Sequence, residues 1–364
     1  MPHTGFEDQE THQHLSAPGK SILEIIRRFK EKRKGGGHMQ DSYERTIDYI
    51  RISVTDQCNL RCIYCMPEGC THRNAKQQLT DEQILKLCRR FAQLGISKVK
   101  ITGGEPLLRP KVPALIKEIR QIPGIHSVTL TTNGILLGKY LPQLVKAGLT
   151  GVNISVDSLD PVHYQQISGR DSLQPVMDSL KAALSYPELV TKLNCVPVYG
   201  KNHQDLAELA LLAKDEDLHV RFIEMMPIGY GKDFNCCTED QILKYLEGKL
   251  KIRLIPYEGR LGNGPAHYYQ AQGFKGKIGF ISAVSHKFCS QCNRIRLTCD
   301  GYLKTCLQYQ TGCDLKPYLQ QGASEETLKQ VILQTVKEKP VCHHFLEDQK
   351  DEKEEKRAMC EIGG

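Results

Sequence analysis

Six short β-rich runs, ending near Val54, Thr102, Thr131, Ser155, Val196 and Glu224, recur along the chain. Helical patterns separate several of them, such as DEQILKLCRRFAQLG (81–95) and KYLPQLVKAG (139–148). Strands alternating with helices predict βαβ units around a parallel sheet. Six such units fit either a doubly wound open sheet or an incomplete barrel. A chemically suggestive phrase accompanies each run: TDQC, TGGEP, TTNG and SVDS follow the first four, NCVPV is part of the fifth, and EMMP follows the sixth. Parallel α/β folds build their active sites at the C-terminal ends of the strands. A barrel gathers all six phrases around one cavity, whereas an open sheet disperses them. The expected fold class is therefore α/β, a partial (β/α)6 TIM-like barrel.

The chain has 364 residues, long enough for about two domains. From about residue 230 the rhythm changes and glycine rises, as in YEGRLGNGPAHYY and QGFKGKIGF. The expected organisation is an N-terminal extension (1–40), the barrel (41–229), a smaller C-terminal α+β domain (230–330) and a tail (331–364). In the extension, SILEIIRRFKEKRK (21–34) places Ile22, Ile25, Ile26 and Phe29 on one helical face ahead of GGG. That pattern fits a basic docking helix or a solvated extension. The charge run EDQKDEKEEKR (347–357) reads as a solvated helix or linker. No apolar run approaches membrane-spanning length. Glu7, Asp8 and Glu10 argue against a mitochondrial presequence. These features point to a cytoplasmic protein with no membrane contact. The 49 basic and 42 acidic residues give a net charge of +7, which suggests an anionic partner without choosing among a nucleotide, RNA or none in particular.

In a reducing compartment, clustered cysteines bind metal or do redox work more often than they form disulfides, and this chain has fifteen. VTDQCNLRCIYCMPEG (54–69) holds Cys58, Cys62 and Cys65 in C-x3-C-x2-C spacing. A structural zinc site would need a fourth ligand, with Cys70 and His72 at hand. An iron–sulfur cluster on three thiolates would instead leave one iron open for chemistry. FCSQCNRIRLTCDGYLKTC (288–306) supplies Cys289, Cys292, Cys299 and Cys306, and a zinc ribbon could use all four. Arg294 and Arg296 alternate within it, so an extended segment points both to one face, in a geometry suited to phosphate.

The first spacing, with the aromatic Tyr64 before its last cysteine, resembles the signature of the radical S-adenosylmethionine superfamily. The resemblance implies a partial barrel of six units and a 4Fe-4S cluster on Cys58, Cys62 and Cys65. The open iron would take the amino and carboxylate groups of S-adenosyl-L-methionine, which is cleaved to methionine and a 5'-deoxyadenosyl radical. Tyr64, Gly104, Ser155 and Met226 fall at cofactor contacts. Gly103 and Gly104 permit close approach of a ligand, and Glu105 offers an acceptor to an ammonium group.

Behind that signature, C-x2-C-N-R-x-R-L followed by a cysteine after thirteen intervening residues is similar to the family that cyclises GTP in the first step of molybdenum cofactor biosynthesis. The similarity runs from about Asp48 to Tyr318 and returns at the terminal Gly363–Gly364. It implies a second 4Fe-4S cluster on Cys289, Cys292 and Cys306, whose open iron holds guanine, and leaves Cys299 unassigned. It places GTP against Arg51, Lys100, Thr131, Lys192, Arg294 and Arg296, the last two also counted with Cys58, Cys62 and Cys65 in the catalytic set. The implied reaction removes the C3' hydrogen of GTP, closes C3' on C8 and yields 3',8-cyclo-7,8-dihydro-GTP. The Gly-Gly tail would enter the active site.

Two departures stand out: Lys100 replaces the family's arginine, and Glu44 replaces a glycine. Implied partners are GTP, a reductant protein such as flavodoxin or ferredoxin, and cyclic pyranopterin monophosphate synthase as recipient of the product. A homodimer is left open, and no nucleic acid is expected. Two alternatives stand beside this reading. One is another radical S-adenosylmethionine enzyme with an auxiliary cluster, acting on a peptide or other nucleotide. The other is a zinc-bearing RNA-binding protein, which wants exposed aromatics among its basic residues; Arg51, Arg294 and Arg296 have none interleaved.

Overall fold

The computed structural model describes residues 38–67, 77–259, 261–345, 347 and 354–363. The basic segment 21–34, Cys70, His72 and Gly364 lie outside them.

Six parallel strands form the centre: β1 (Tyr49–Ser53), β2 (Lys98–Thr102), β3 (Ser127–Thr132), β4 (Gly151–Ser155), β5 (Val190–Cys195) and β6 (His219–Ile223). Each ends within a residue of the position expected from sequence. The later strands are β7 (Leu254–Tyr257), β8 (His267–Ala271), β9 (Ile278–Ile281), β10 (Arg294–Leu297), β11 (Tyr302–Lys304) and β12 (Gly312–Asp314). They join both edges of the same sheet. β9 pairs in parallel with β6 and carries β8 and β7 antiparallel; β10 pairs in parallel with β1 and carries β11 and β12 antiparallel. The sheet order is β12-β11-β10-β1-β2-β3-β4-β5-β6-β9-β8-β7. The architecture is a partial (β/α)6 barrel whose edges are lengthened by the C-terminal region.

Strand alternation decides what each face of this sheet is made of. In YIRIS, KVKIT and SVTLTT the even positions Ile50, Ile52, Val99, Ile101, Val128 and Leu130 are fully buried on the helical side. The opposite positions carry Arg51, Lys100, Thr129 and Thr131, all lining the lumen. GVNIS, VTKLNC and HVRFI continue the pattern with Asn153, Lys192 and Arg221 inward. Closed barrels usually fill this interior with Val, Ile and Leu. Here polar side chains line it instead, around a cavity of about 700 Å³.

The helical layer follows from equally local chemistry. The helix Asp81–Gln93 starts with a capping box, in which the Gln83 N–H donates to the Thr80 hydroxyl at 3.2 Å and the Thr80 N–H donates to the Gln83 side chain at 2.9 Å. Ile84, Leu87, Cys88 and Phe91 then recur at helical spacing and are buried. No helix among the described residues is long and apolar enough to cross a membrane.

The departure at Glu44 has a conformational cost. Its φ is +62°, in a turn where the Asp41 carboxylate accepts the N–H groups of Tyr43 and Arg45 at 2.9 and 3.0 Å. A side chain in this left-handed region costs about 1 kcal/mol relative to glycine. Glu44→Gly is expected to raise stability by up to about 1 kcal/mol, less the added entropy of the unfolded chain. Denaturant titration measures it, and no gain would mean that the Glu44 side chain offsets its own strain.

Candidate active site

The first cysteine loop is built on the end of β1 and clamped from two sides. Cys65 and Met66 both donate their N–H groups to the Cys62 carbonyl, at 3.0 and 2.9 Å, which winds the turn tightly. Arg61 and Ile63 donate to the Ser168 and Ile167 carbonyls at 2.7 and 3.0 Å, fixing the loop to the helix Pro161–Ser168. The Tyr64 hydroxyl donates to the Asp157 carboxylate at 2.6 Å, tying it to the end of β4. Burial lifts Asp157 to about 6 against the pull of that hydrogen bond. Burial also holds the Cys58 and Cys62 thiols above their ordinary range. Three thiols on one short loop are soft donors of the kind an iron–sulfur cluster takes, although among the described residues no group of three or more His, Cys, Asp or Glu side chains is placed to hold a single metal ion.

Gly103 and Gly104 are needed by this loop itself. A Cβ on Gly104 would lie 2.2 Å from the Gln57 carbonyl oxygen, and one on Gly103 would lie 2.5 Å from that of Thr55. The Gly104 N–H donates to the Thr55 carbonyl at 2.7 Å. The side of each glycine where a Cβ would stand is filled by the backbone that carries Cys58, and both glycines line the lumen. Glu105 is likewise engaged by the protein. One oxygen accepts from Leu107 N–H and Thr132 Oγ1 at 3.0 and 2.8 Å, and the other from Asn133 N–H at 2.7 Å. Burial still raises this carboxyl to about 7. Its observed bonds join the β2 loop to the β3 loop. Ser155 and Met226 are half-buried and line the lumen beside the cysteines.

Farther along the lumen, cations gather. Strand register places Arg296 of β10 beside Arg51 of β1, and Arg51 beside Lys100 of β2. Like charges directly across neighbouring strands repel. Lys192 approaches from β5 and Arg221 from β6, while Arg294 precedes Arg296 on β10. Burial, reinforced by neighbouring cations that include Arg221 and Arg51, presses Lys100 well below the ordinary lysine range. Burial, then Arg221, brings Lys192 down to about 7. Among the described residues no carboxylate forms an ion pair with Lys100, Lys192, Arg221, Arg294 or Arg296. The Arg294 Nε is buried without a hydrogen-bond partner. These features fit a polyanion.

Sequence reasoning missed Arg221, which organises the opposite wall. It donates to Asn194 Oδ1 at 2.9 and 2.6 Å and to Asn153 Oδ1 at 2.6 Å; Asn153 in turn donates to Thr131 Oγ1 at 3.3 Å.

Cys289, Cys292 and Cys306 lie beside this basic region, on the 3₁₀ turn Cys289–Gln291, its C-cap and the residue two past β11. Arg45 clamps them from outside, donating to the carbonyls of Cys289 and Val341 at 2.8 Å and of Pro340 at 2.6 Å. Burial alone would raise Cys292, but Lys339 and Arg294 outweigh it and hold the thiol at about 7. Lys339 is a second residue that sequence reasoning missed. It is buried and donates to the Arg294 carbonyl at 3.1 Å. Cys299 is buried, with its carbonyl accepting from Leu79 N–H at 2.7 Å.

The terminal segment reaches the same lumen. Met359 lines it, and Arg296 donates to the Gly363 carbonyl.

Residues 52–213 match the Radical SAM superfamily and residues 218–345 match the Molybdenum Cofactor Synthesis C family. GTP 3',8-cyclase of Clostridium perfringens (strain 13 / Type A) is 44% identical over 328 residues, covering 90% of this chain and 100% of that one. The chain belongs to the GTP 3',8-cyclase family. The cyclase of Syntrophomonas wolfei is 42% identical over 330 residues, again covering 90% of this chain and 100% of the relative. GTP 3',8-cyclases are radical S-adenosylmethionine lyases of molybdenum cofactor biosynthesis, and the radical family implies an iron–sulfur cluster and S-adenosylmethionine. The fold is also that of Streptococcus suis SuiB bound to S-adenosylmethionine, with a TM-score of 0.58 at 16% identity over 88% of this chain and 71% of that one. SuiB bound to precursor peptide SuiA gives a TM-score of 0.56 at 14% identity, over 91% and 73%.

Proposed function

We propose that the lumen converts GTP to 3',8-cyclo-7,8-dihydroguanosine 5'-triphosphate, with one 4Fe-4S cluster on Cys58, Cys62 and Cys65 and a second on Cys289, Cys292 and Cys306. The observation that carries this reading is the cross-strand row Arg296–Arg51–Lys100, three cations in register inside a polar barrel. Such a row is stable when an anion lies over it, and a triphosphate supplies one with several oxygens. When bound, the first cluster and S-adenosylmethionine supply the 5'-deoxyadenosyl radical that the family's reaction requires.

The chain's own side chains do the positioning. Arg51, Lys100, Lys192, Arg294 and Arg296 hold the triphosphate, and Thr131, braced through Asn153 by Arg221, meets the nucleotide between them. Tyr64, Gly104, Ser155 and Met226 shape the cofactor end. Holding both molecules in one water-poor lumen turns a bimolecular encounter into an oriented one. Lys100 keeps the family's charge but offers a point rather than a fork, so Lys100→Arg is a fair test of bidentate geometry. A flavodoxin- or ferredoxin-type reductant and hand-off of product to cyclic pyranopterin monophosphate synthase complete the reading.

Lys192 gives it a pH signature. Its pKa of about 7 in the free protein should rise towards the ordinary lysine range once a triphosphate lies beside it. Its contribution to binding is then complete below about pH 7 and is lost as pH rises through the bound-state value. GTP affinity should fall by up to about tenfold per pH unit above pH 7. Lys192→Arg should flatten that slope in calorimetric titrations; an unchanged slope would remove Lys192 from the site.

The function is tested by anaerobic turnover of protein reconstituted with iron and sulfide and supplied with S-adenosylmethionine, a strong reductant and GTP. GTP-dependent 5'-deoxyadenosine together with a cyclised GTP isomer is expected by mass spectrometry. Deoxyadenosine without the isomer would point to a different substrate.

A further inference from the structure

A buried tyrosine of the C-terminal region reaches the cations of the barrel. Tyr268, in β8, is 2% exposed, and strand register sets it opposite Gly279 of β9, which stands beside Arg221 of β6. A Cβ on Gly279 would lie 2.7 Å from Tyr268 Cε1 and 2.9 Å from Arg221 Cγ. Gly279 is in the interior of a strand and has no positive φ, so space rather than conformation requires glycine there. The phenol ring lies over that gap and meets Lys192 of β5. Lys192 is buried and donates from Nζ to the Leu261 carbonyl at 2.6 Å and to the Tyr268 hydroxyl at 3.4 Å. The hydroxyl donates to the same carbonyl at 3.1 Å, closing a triangle. The ammonium also lies 5.6 Å from the centre of the Tyr268 ring, within cation–π range. On the loop side, a Cβ on Gly262 would lie 2.6 Å from the Lys192 Nζ. Glycines on both sides thus leave room for this one contact.

We propose that Tyr268 is a positioning residue for the triphosphate: with the Leu261 carbonyl, its hydroxyl fixes the Lys192 ammonium at one point of the lumen wall. The proposal rests on the reading that Lys192 contacts GTP. An ammonium carries three donors, and the triangle uses two of them, which leaves one for a phosphate oxygen. Lys192 lines the lumen and Tyr268 does not, so Tyr268 acts on the substrate only through Lys192.

The benefit is preorganisation. A lysine has a flexible four-carbon stem, and a ligand that fixes its ammonium must take away much rotamer freedom. Here the protein has already ordered the stem, so binding of phosphate does not carry that loss. The hydroxyl matters for this as much as the ring does, because it holds the Leu261 carbonyl and the ammonium together.

The test is a double-mutant cycle of Tyr268→Phe and Lys192→Ala in the full-length protein, reconstituted anaerobically with iron and sulfide. Tyr268→Phe keeps the ring and removes only the hydroxyl. Calorimetric titration should show the Kd for GTP raised about tenfold in that variant, with the Kd for S-adenosylmethionine within about twofold of wild type. In turnover, KM for GTP should rise while the rate at saturating GTP changes little. On the Lys192→Ala background the same substitution should move the Kd for GTP by less than about twofold. An equal fold loss on both backgrounds, or one shared by S-adenosylmethionine, would make Tyr268 a support of the fold and overturn the proposal. No loss in Tyr268→Phe alone would overturn it as well, and either result leaves the GTP site standing. Unchanged GTP affinity in Lys192→Ala would overturn both the proposal and the triphosphate role of Lys192.

Discussion

Cys289→Ala is expected to stop formation of the cyclic product while cleavage of S-adenosylmethionine continues. Cys289 sits on a short turn whose carbonyl is gripped by Arg45, and Cys292 beside it is held near neutrality by Lys339 and Arg294. Under the proposed assignment, two thiols would not keep the cluster that fixes the guanine end of GTP. The first cysteine loop is anchored separately, through Tyr64 to Asp157 and through Arg61 to Ser168, so the cofactor end keeps its geometry. A misplacement of an ångström at a reacting centre costs about a hundredfold in rate. Product should therefore fall by at least about a hundredfold, with deoxyadenosine falling only a few-fold. Single-turnover mass spectrometry reads both, and normal yield of cyclic product from the variant would remove Cys289 from the substrate site.

Arg294→Ala is expected to separate the substrate from the cofactor in binding rather than in rate. Arg294 is half-buried, with its Nε buried without a hydrogen-bond partner and its guanidinium 5.0 Å from the centre of the Phe288 ring, so one edge of the fork is turned away from water and lacks a protein acceptor. Deleting one partner of a buried charge interaction costs about 2–5 kcal/mol, so the Kd for GTP should rise about 30-fold or more. The Kd for S-adenosylmethionine should stay within about twofold, because no cofactor contact is assigned to Arg294. Wild-type affinity for GTP should also weaken with added salt, and less steeply in the variant. Equal losses for the two ligands would contradict a substrate role.

Much of the fold is written in local pattern. The strand ends follow from β-rich runs that stop at polar phrases, and the helix at Asp81 from its capping box. The polar lumen was also open to reading, because Arg51, Lys100, Lys192 and Arg221 occupy the same phase of alternation in their strands. Arg221 escaped notice because HVRFI carries no motif; its meaning comes from Asn153 and Asn194 on neighbouring strands. Long-range pairing is harder to see. Nothing local to RIRL says that it lies parallel to YIRIS, yet that register sets Arg296 beside Arg51.

The glycines of TGGEP show a related limit. Their lack of side chains was legible, but whether ligand or backbone fills the space was not, and here the Thr55–Gln57 backbone does. Lys339 comes from a segment without a recognisable spacing, and only tertiary packing brings it to the Arg294 carbonyl beside Cys292. Glu44 is the reverse case: a departure noticed in sequence falls at a positive φ, where the family's glycine is the less strained residue.

The central claim is that one lumen presents the ribose of GTP to a radical generated at the other end. The most direct measurement is anaerobic turnover with GTP carrying deuterium at C3'. The account expects that deuterium in the 5'-deoxyadenosine and its absence from C3' of the cyclised product. Deoxyadenosine without the label, formed alongside unconverted GTP, would contradict it.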